Sequence, residues 1–487
     1  MPDYRTRATL RLLPVSILAL ALAACTVGPD HVRPTLPVPP AYSGVDGSAQ
    51  PSPQPAPDAD FWNAFDDPVL TYLVDEALLA NHDLRIALAR YDSANALLRG
   101  ARFDALPTLT ASGQASDSRA SEDQLPGVDR AARDTEHYSA GIDVAWELDL
   151  FGRVRRGIEA SRADTAAAAA DLGALQVSIV AGTVQSYMDL RGLQERLRVA
   201  RANADNQRET LRIVQARMDA GSATDFDRSR ASAQLEATLA RVPALEAEAT
   251  VLMHRIAVLT GKAPSDLLTQ LEQPAGLPAI PAAVDPGTPG HLLRRRPDIA
   301  AAEQRLHAAT ARIGVATADL FPRFTLGGLI GSQAIDAGDL FERDSETRLV
   351  ALGIDWSFLD IGRLKARMAA ADADASGELA RYQQTILLAL EETENALVRY
   401  QRSREEDAHL SQAALDSTRA AELARIRYDA GATGLLEVLD AERVRLQAQD
   451  ALAAVRTRTA NNAVAVYKTL AGGWPDRIPL REDVEDV

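Results

Sequence analysis

The sequence is poor in the residues that hold small secreted domains together. Among its 487 residues there is one cysteine, and aromatic residues make up 5% of the chain. A single cysteine cannot form an internal disulfide, so a disulfide-stapled fold is excluded. Basic residues are also outnumbered, 52 against 68 acidic ones, and the net charge of −16 disfavours binding to nucleic acid or to an anionic lipid surface.

Alanine and leucine account for much of the hydrophobic content of the chain. Hydrophobic residues make up 46% of the chain and charged residues 25%, a balance that is typical of long helices and coiled coils rather than of a mixed globular enzyme. We therefore expect a mainly helical fold, although a chain of this length would ordinarily divide into about three domains.

The N-terminal segment has the pattern of an export signal. Arginines precede an apolar run over 12–24, which is shorter than the roughly 20 residues of a membrane-spanning helix. The run ends in Leu22-Ala23-Ala24-Cys25, which resembles a bacterial lipoprotein cleavage box. We expect Cys25 to be the lipidated N-terminus of the mature chain, the alternative being a buried free thiol. Thr26 stands where an Asp would resemble an inner-membrane retention signal, so the outer membrane is the predicted destination.

The sequence repeats itself with an offset of 210 residues. The matching positions are tryptophans and glycines in the same order: Trp146 and Trp356, Gly152 and Gly362, Gly221 and Gly431. Shared anchors of these types indicate an internal duplication. The predicted organisation has six segments: a signal peptide (1–24), a lipidated N-terminus with a Pro-rich tether (25–60), a first repeat (61–263), a Pro-rich linker (264–290), a second repeat (291–473) and an acidic tail (474–487).

Each repeat is predicted to contain a helix, two strands and a pair of very long helices. Apolar and polar residues alternate over 142–148 and 352–358, and the preceding strands are expected at 108–116 and 323–332. Two half-buried hairpins packed on a core would show the same alternation. In an outer membrane, however, such segments are typical of barrel strands, and an open sheet edge would leave backbone groups unpaired in lipid.

Four strands cannot close a barrel, so several chains must contribute. Three copies would supply twelve strands, and a homotrimer with a shared twelve-stranded transmembrane β-barrel is the simplest arrangement. Trp146 and Trp356, at the ends of the alternating runs, are the expected membrane-interface aromatics. The polar segments 117–135 and 333–346 are expected to form outward-facing loops.

The long helices are predicted from an absence of helix breakers. The stretch 153–219 would be roughly 100 Å long as a continuous helix. A left-handed glycine is expected to end it at Gly221, and Gly431 is its repeat mate. Pro243 should interrupt the first returning helix, whereas Ala453 at the matching place should leave the second intact.

These features together resemble the TolC-like outer-membrane efflux channels, specifically the lipoprotein branch that serves resistance-nodulation-division (RND) pumps. The resemblance covers nearly the whole mature chain and rests on short matches in a characteristic order: Cys25-Thr26-Val27-Gly28-Pro29-Asp30, Phe61-Trp62, Asn81-x-Asp83-Leu84, Arg294-Arg295-Arg296-Pro297-Asp298 and Leu320-Phe321-Pro322. It implies a homotrimeric tunnel with long antiparallel helical hairpins forming a periplasmic barrel. It also implies a passive exit duct for drugs or other small toxic solutes, fed by an inner-membrane RND-type pump through a periplasmic adaptor (membrane fusion) protein.

The resemblance also implies two sets of site residues at the hairpin tips. The periplasmic gate, where inward-pointing acidic and apolar rings close the tunnel, would comprise Tyr428, Leu436, Glu437, Asp440 and Asp227. The adaptor contact would be formed by small residues: Ala220, Gly221, Ser222, Ala430, Gly431 and Ala432. Thr433 stands where some family members carry a basic residue that latches protomers together. Carboxylates on an ordinary solvated helix face are the alternative for the acidic positions.

No pattern in the sequence points to an enzyme. There is no phosphate-binding glycine loop, no His-Glu-x-x-His and no cysteine nucleophile, and the seven histidines have no ligand spacing. We therefore expect no catalytic residue, no metal and no cofactor. The competing hypothesis is a structural envelope lipoprotein that bridges the outer membrane and the periplasm, but a simple spacer has no need of amphipathic strands that end in tryptophan.

Overall fold

The computed structural model describes residues 26–35, 37–43, 60–280, 286–470 and 479–481. Cys25, the predicted signal peptide 1–24, half of the predicted tether segment and most of the predicted tail lie outside the described residues. The lipidation of Cys25 therefore stays a prediction.

The described residues are mainly helical, with one small sheet. The helices are α1 (Pro68–Ala80), α2 (His82–Phe103), α3 (Arg153–Asp219), α4 (Asp225–Leu239), α5 (Arg241–Leu259), α6 (Leu268–Leu271), α7 (Pro289–Arg295), α8 (Pro297–Ala318), α9 (Ile361–Asp429) and α10 (Leu435–Thr469). The strands are β1 (Thr108–Arg119), β2 (Asp134–Leu148), β3 (Arg323–Ala334) and β4 (Glu346–Asp355). Short 3-10 helices occur at Phe61–Phe65, Arg130–Arg133, Ala337–Asp339, Arg343–Ser345 and Phe358–Asp360.

The chain divides into two compact units. The first contains the described residues up to Thr35, together with Tyr91–Ala168 and Ala301–Gln383, and it holds all four described strands. The second contains Leu36–Arg90, Ala169–Ala300 and the chain from Gln384 onward, as far as these are described. Helices α3 and α9, of 67 and 69 residues, contribute to both units.

The sheet of the first unit is antiparallel, in the order β1-β2-β3-β4. Its register brings the apolar residues of neighbouring strands opposite each other, because Ile142 pairs with Ile330 and Leu326 with Leu352. Residues that alternate along a strand share one face. One face of the sheet is thus apolar, and its side chains are largely exposed in the single chain: Leu109, Ile142, Leu326, Ile330, Val350, Leu352 and Ile354.

The strand boundaries differ from the predicted ones. β1 ends at Arg119, three residues later than predicted, and β2 begins at Asp134, two residues earlier. The loop between them therefore spans 120–133, and an Arg119–Asp134 ion pair closes it. The loop between β3 and β4 is likewise shorter than predicted and spans 335–345. At the other end, β4 stops at Asp355, and the backbone turns into the 3-10 helix Phe358–Asp360 instead of continuing as a strand.

Both tryptophans lie at the end of the sheet where the long helices begin. The Trp146 indole Nε1–H donates to the carbonyl of Ala105 at 3.1 Å, and that of Trp356 donates to the carbonyl of Leu320 at 3.0 Å. Each ring therefore ties the end of its hairpin to the segment that precedes the hairpin. Trp356 lies just beyond β4 rather than within it.

Part of the predicted tether is packed rather than free. In the first unit, the backbone N–H of Val27 donates to the carbonyl of Phe151 at 3.2 Å, and Arg156 pairs with Asp30 at 2.6 Å. Gly28 has φ +91°, and a Cβ there would lie 2.5 Å from the Cα of Gly314. This close approach allows residues 26–35 to lie against α3 and α8.

The core of the second unit gathers the aromatic residues of the first 3-10 helix. Phe61, Trp62 and Phe65 are almost fully buried, and the Phe61 ring stacks on Tyr467 of α10 with centroids 4.8 Å apart. Asp67 caps α1 by accepting from the backbone N–H groups of Val69 and Leu70. This cluster packs the 3-10 helix Phe61–Phe65 against α10.

The returning helices differ as predicted. The first is divided at Ala240 into α4 and α5, three residues before Pro243, whereas α10 runs unbroken through Ala453. Proline lacks a backbone donor and clashes with the carbonyl four residues earlier, which is that of Leu239. Within the described ranges, α3 is the helix long and apolar enough to cross a membrane, but half of its most apolar window is buried inside the protein, as in an ordinary core helix.

Candidate functional site

The two hairpin tips have the same backbone geometry. Gly221 and Gly431 are left-handed, with φ +72° and +71°. The N–H of Ser222 donates to the carbonyl of Arg217, and that of Ala432 to the carbonyl of Arg427, both at 2.8 Å. These 6→1 bonds define Schellman motifs, in which a glycine ends a helix without steric strain. The predicted tip glycines are confirmed as helix terminators.

Two of the predicted gate carboxylates cap the returning helices. The Asp227 carboxylate accepts from the backbone N–H and the hydroxyl of Thr224, at 3.0 and 2.7 Å, and the Glu437 carboxylate accepts from the N–H of Gly434 at 2.7 Å. The hydroxyl of Thr433 and the N–H of Gly434 hold the pKa of Glu437 below its usual range, and Thr224 does the same for the pKa of Asp227. Both side chains are therefore ionised helix caps at neutral pH.

Tyr428 is packed rather than projecting. Its side chain is 8% exposed and lies with Val214, Leu435, Val438 and Leu439 in an apolar cluster near the tips. Tyr428 thus packs within the chain, and its part in the gate stays a prediction. Burial of an aromatic ring among apolar helix residues is favourable, whereas its projection into water would lose that contact.

An arginine that the sequence patterns did not single out holds Tyr428 in place. The Arg217 guanidinium lies over the Tyr428 ring, 4.0 Å from its centroid, and donates to the Tyr428 carbonyl at 3.3 Å. Arg217 belongs to α3 and Tyr428 to α9, so this contact joins the two hairpins of one chain. The two residues are far apart in sequence, and no local pattern links them.

Leu436 and Asp440 line a groove between α4 and α10. The groove has a volume of about 310 Å³ and is also lined by Arg230, Leu439 and Arg443. Leu436 is 56% exposed, and Asp440 is exposed but paired with Arg443 at 2.6 Å. Of the five predicted gate residues, these two are therefore the ones free to project from the chain surface.

Two residues of the first hairpin could have been found from the repeat. An offset of 210 residues relates Leu436 to Phe226 and Asp440 to Arg230. Phe226 is 66% exposed, and the guanidinium of Arg230 lies 5.5 Å from the centroid of its ring. The first hairpin thus presents an aromatic ring and a cation where the second presents an aliphatic side chain and a carboxylate.

The six predicted adaptor-contact residues are exposed at the tips. A Cβ placed on Gly221 or Gly431 would meet no atom within 4 Å. The tips therefore present small side chains and unobstructed backbone. As for metal binding, the described part of the chain contains no group of three or more His, Cys, Asp and Glu side chains that could hold an ion.

Comparison with known proteins identifies the family. The family model described as "Outer membrane efflux protein" matches residues 73–262 and 288–472, which together make up well over half of the chain. The chain belongs to the outer membrane efflux protein family. This efflux protein is therefore a transport duct of the outer membrane and not an enzyme, as the sequence predicted.

Individual relatives agree over almost the full length. This efflux protein is 33% identical to Nodulation protein T of Rhizobium leguminosarum bv. trifolii, over 89% of this chain and 91% of the relative. It is 32% identical to the pyoverdine export outer membrane protein OpmQ of Pseudomonas putida, over 96% and 98%. Among solved structures, the outer-membrane channel OprN has a TM-score of 0.87 with 43% identity, over 92% of this chain and all of that one.

These comparisons confirm the predicted fold class, mainly helical with a small antiparallel sheet.

Proposed function

We propose that this efflux protein is a lipid-anchored homotrimer that forms the exit duct of a tripartite efflux system. The observation that carries the proposal is the exposed apolar face of the four-stranded sheet, which ends at Trp146 and Trp356. Leaving such a face in water is unfavourable, whereas contact with lipid satisfies it. The outer edges of β1 and β4 need partners in lipid, and three copies supply them by closing twelve strands.

The duct would be continued by α3, α9 and the returning helices, and it would be filled from an inner-membrane RND-type pump. A periplasmic adaptor would dock on the tips, at Ala220, Gly221, Ser222, Ala430, Gly431 and Ala432. Small exposed residues support this role because they allow another helical hairpin to approach closely. Cys25 would carry the lipid anchor, and drugs or other small toxic solutes would be the cargo.

The resting duct would be constricted at Leu436 and Asp440. Threefold symmetry turns each projecting residue into a ring of three, so Leu436 would form an apolar constriction and Asp440 a ring of charge. Two carboxylates about 8 Å apart in water repel by only about 0.5 kcal/mol, so helix packing can hold such a ring closed. Glu437 and Asp227 would add negative charge beside the ring from their capping positions.

Planar-bilayer recordings of the purified trimer test the gate. We expect Leu436→Gly to raise single-channel conductance, because it removes the apolar constriction. Leu415→Gly is the matched control, since Leu415 is an exposed leucine on α9, outside the groove. Asp440→Asn should reduce cation preference, and Arg443→Ala should raise it by removing the partner charge. Unchanged conductance in Leu436→Gly, with unchanged selectivity in Asp440→Asn and Glu437→Gln, would exclude this constriction.

Substitutions beside the tip glycines test adaptor docking. Among the described residues, Asp66 is the only one other than glycine with positive φ, so Ser222→Arg and Ala432→Arg add bulk without backbone strain. We expect each to abolish efflux-dependent resistance in cells while trimer levels stay normal, and Ala413→Arg on exposed α9 surface to have no effect. Full resistance in both tip variants would remove the tips from the interface.

A further inference from the structure

The two junctions that lead from the sheet into the long helices are related by the repeat but differ in charge. We call residues 147–157 the first junction and residues 357–367 the second junction. Two cations occur in both, whereas two carboxylates of the first are replaced by uncharged residues in the second. The positions related by an offset of 210 residues are Arg153 and Arg363, Arg155 and Lys365, Glu147 and Ser357, and Asp149 and Leu359.

In the first junction each of these cations has a carboxylate partner. The Arg153 Nε–H donates to Glu147 Oε1 at 2.8 Å, and the Arg155 Nε–H donates to Asp149 Oδ2 at 3.2 Å. The Asp149 carboxylate also accepts from the backbone N–H of Val154 at 3.0 Å and so caps α3. Both cations are thus neutralised within the chain.

In the second junction the cations are exposed. Arg363 reaches only Asp360, at 3.3 Å, and an exposed pair of this kind contributes little to stability. Among the described residues, no carboxylate forms an ion pair with Lys365 or Arg367. A Cβ placed on Gly362 would meet no atom within 4 Å, so the described part of the chain leaves this position uncovered. The second junction therefore presents cations that the chain itself does not neutralise.

Exposed apolar side chains adjoin these cations. Leu359 is 88% exposed and Phe358 is 56% exposed, and the Phe358 ring centroid lies 5.2 Å from that of Trp356. Trp356 follows Leu352 and Ile354 in the alternation that forms the apolar face of the sheet. The surface thus passes from an apolar sheet face through two aromatic rings to a group of cations. This order is typical of a membrane–water interface, where cations meet lipid headgroups.

The second junction follows an edge strand, so it would lie at the boundary with a neighbouring copy in the proposed homotrimer. In the first junction, the charge of Asp319, just after α8, acts on Arg153. An offset of 215 residues relates Asp319 to Asp104, just after α2. Asp104 of a neighbouring copy would bring with it Arg99 and Arg102, which are both exposed. The boundary would therefore become more positive rather than neutral.

We propose that the second junction binds the headgroup of an anionic phospholipid from the periplasmic leaflet of the outer membrane. The inference rests on the proposed homotrimer, which has one such site at each boundary between copies. Arg363 and Lys365 donate to the phosphate oxygens, which take the place of the two carboxylates of the first junction. The acyl chains lie against Phe358 and Leu359, and this apolar contact favours a phospholipid over free phosphate.

Native mass spectrometry of purified trimers with added phosphatidylglycerol tests the site. We expect one tightly bound lipid per boundary, and about tenfold weaker binding in the double variant Arg363→Gln, Lys365→Gln. The double variant Ser357→Glu, Leu359→Asp gives the second junction the carboxylates of the first. It should also weaken binding, although the cations are still present, because they are then paired within the chain.

The matched control is the double variant Arg208→Gln, Arg212→Gln, which removes two exposed cations of α3 and should bind lipid as the parent does. Unchanged binding of phosphatidylglycerol in both junction variants would overturn the inference. Its displacement by millimolar inorganic phosphate would do the same and indicate a site for free anions. Weaker trimers in Asp104→Asn, with lipid binding unchanged in both junction variants, would assign the cations to an ion pair between copies.

The same preparations separate this inference from the proposed function. Membrane trimers that conduct in bilayers but bind no phosphatidylglycerol would keep the proposed duct and remove the lipid site. Absence of trimers from the membrane would overturn both, because the site lies at the boundary between copies.

Discussion

Single side chains at the tips divide into those that build the hairpins and those that project from them. Asp227 and Glu437 cap helices, Tyr428 packs under Arg217, and Leu436 remains exposed. The same residue types therefore have different roles at positions only a few residues apart. Accessibility and hydrogen bonding separate these roles, and residue type alone does not.

At this scale we predict that Arg217→Ala loosens the contact between the hairpins. The variant loses a cation–π contact and a hydrogen bond, each worth about 1 kcal/mol. Hydrogen exchange of the tip segments should become faster. Arg217→Lys should have a smaller effect because lysine keeps a positive charge near the ring, although it lacks the planar guanidinium. Arg212→Ala removes only an exposed pair with Glu209 and serves as the control. Equal hydrogen-exchange protection of the tips in Arg217→Ala and in the parent would show that the contact between Arg217 and the Tyr428 ring does not stabilise them.

Among the elements, the N-terminal segment 26–35 is held by a titratable contact. His31 stacks on His307 of α8 with ring centroids 4.5 Å apart, and His307 Nε2 lies 2.9 Å from Glu159 of α3. Arg156 bridges Glu159 and Asp30 beside the pair. Burial, and next the neighbouring His307, lower the pKa of His31. The docked segment therefore favours neutral His31.

A lowered histidine pKa means that docking is complete above the ordinary value near 6.5 and weakens as pH falls below it. We predict that cleavage of residues 26–35 by an added protease increases from about pH 7.5 to about pH 5.5. His31→Phe retains the stacked ring without a titratable nitrogen and should reduce this increase, whereas exposed His82→Phe should not. An unchanged increase in His31→Phe would assign the effect to other groups.

For the whole molecule, the proposed barrel and the proposed lipid would be separate attachments to the membrane. A lipid chain contributes about 0.8 kcal/mol per buried methylene, whereas a closed barrel is held by an entire apolar belt. We predict that Cys25→Ser protein with an ordinary secretion signal still forms trimers in the outer membrane, as measured by cross-linking of purified membranes. Monomers or soluble protein in that experiment would show that the anchor is needed for assembly.

Much of the fold follows from local features of the chain. Alternation with period two predicts the strands, the tip glycines predict left-handed helix ends, and Pro243 predicts the divided helix. These features depend on backbone sterics and on side chains a few residues apart, so they can be predicted without a tertiary structure. The repeat offset extends the same logic to Phe226 and Arg230.

The remaining features depend on contacts between distant parts of the chain. Arg217 meets Tyr428, His31 meets His307, and Thr210 meets Glu442 only because long helices pack in one particular register. Helices of this length offer many registers with similar local patterns, and the choice among them depends on side-chain packing over their whole length. The local sequence thus determines the amphipathic strands and the glycine tips. The burial of Tyr428 and Glu442 results instead from the packing of distant segments in the folded chain.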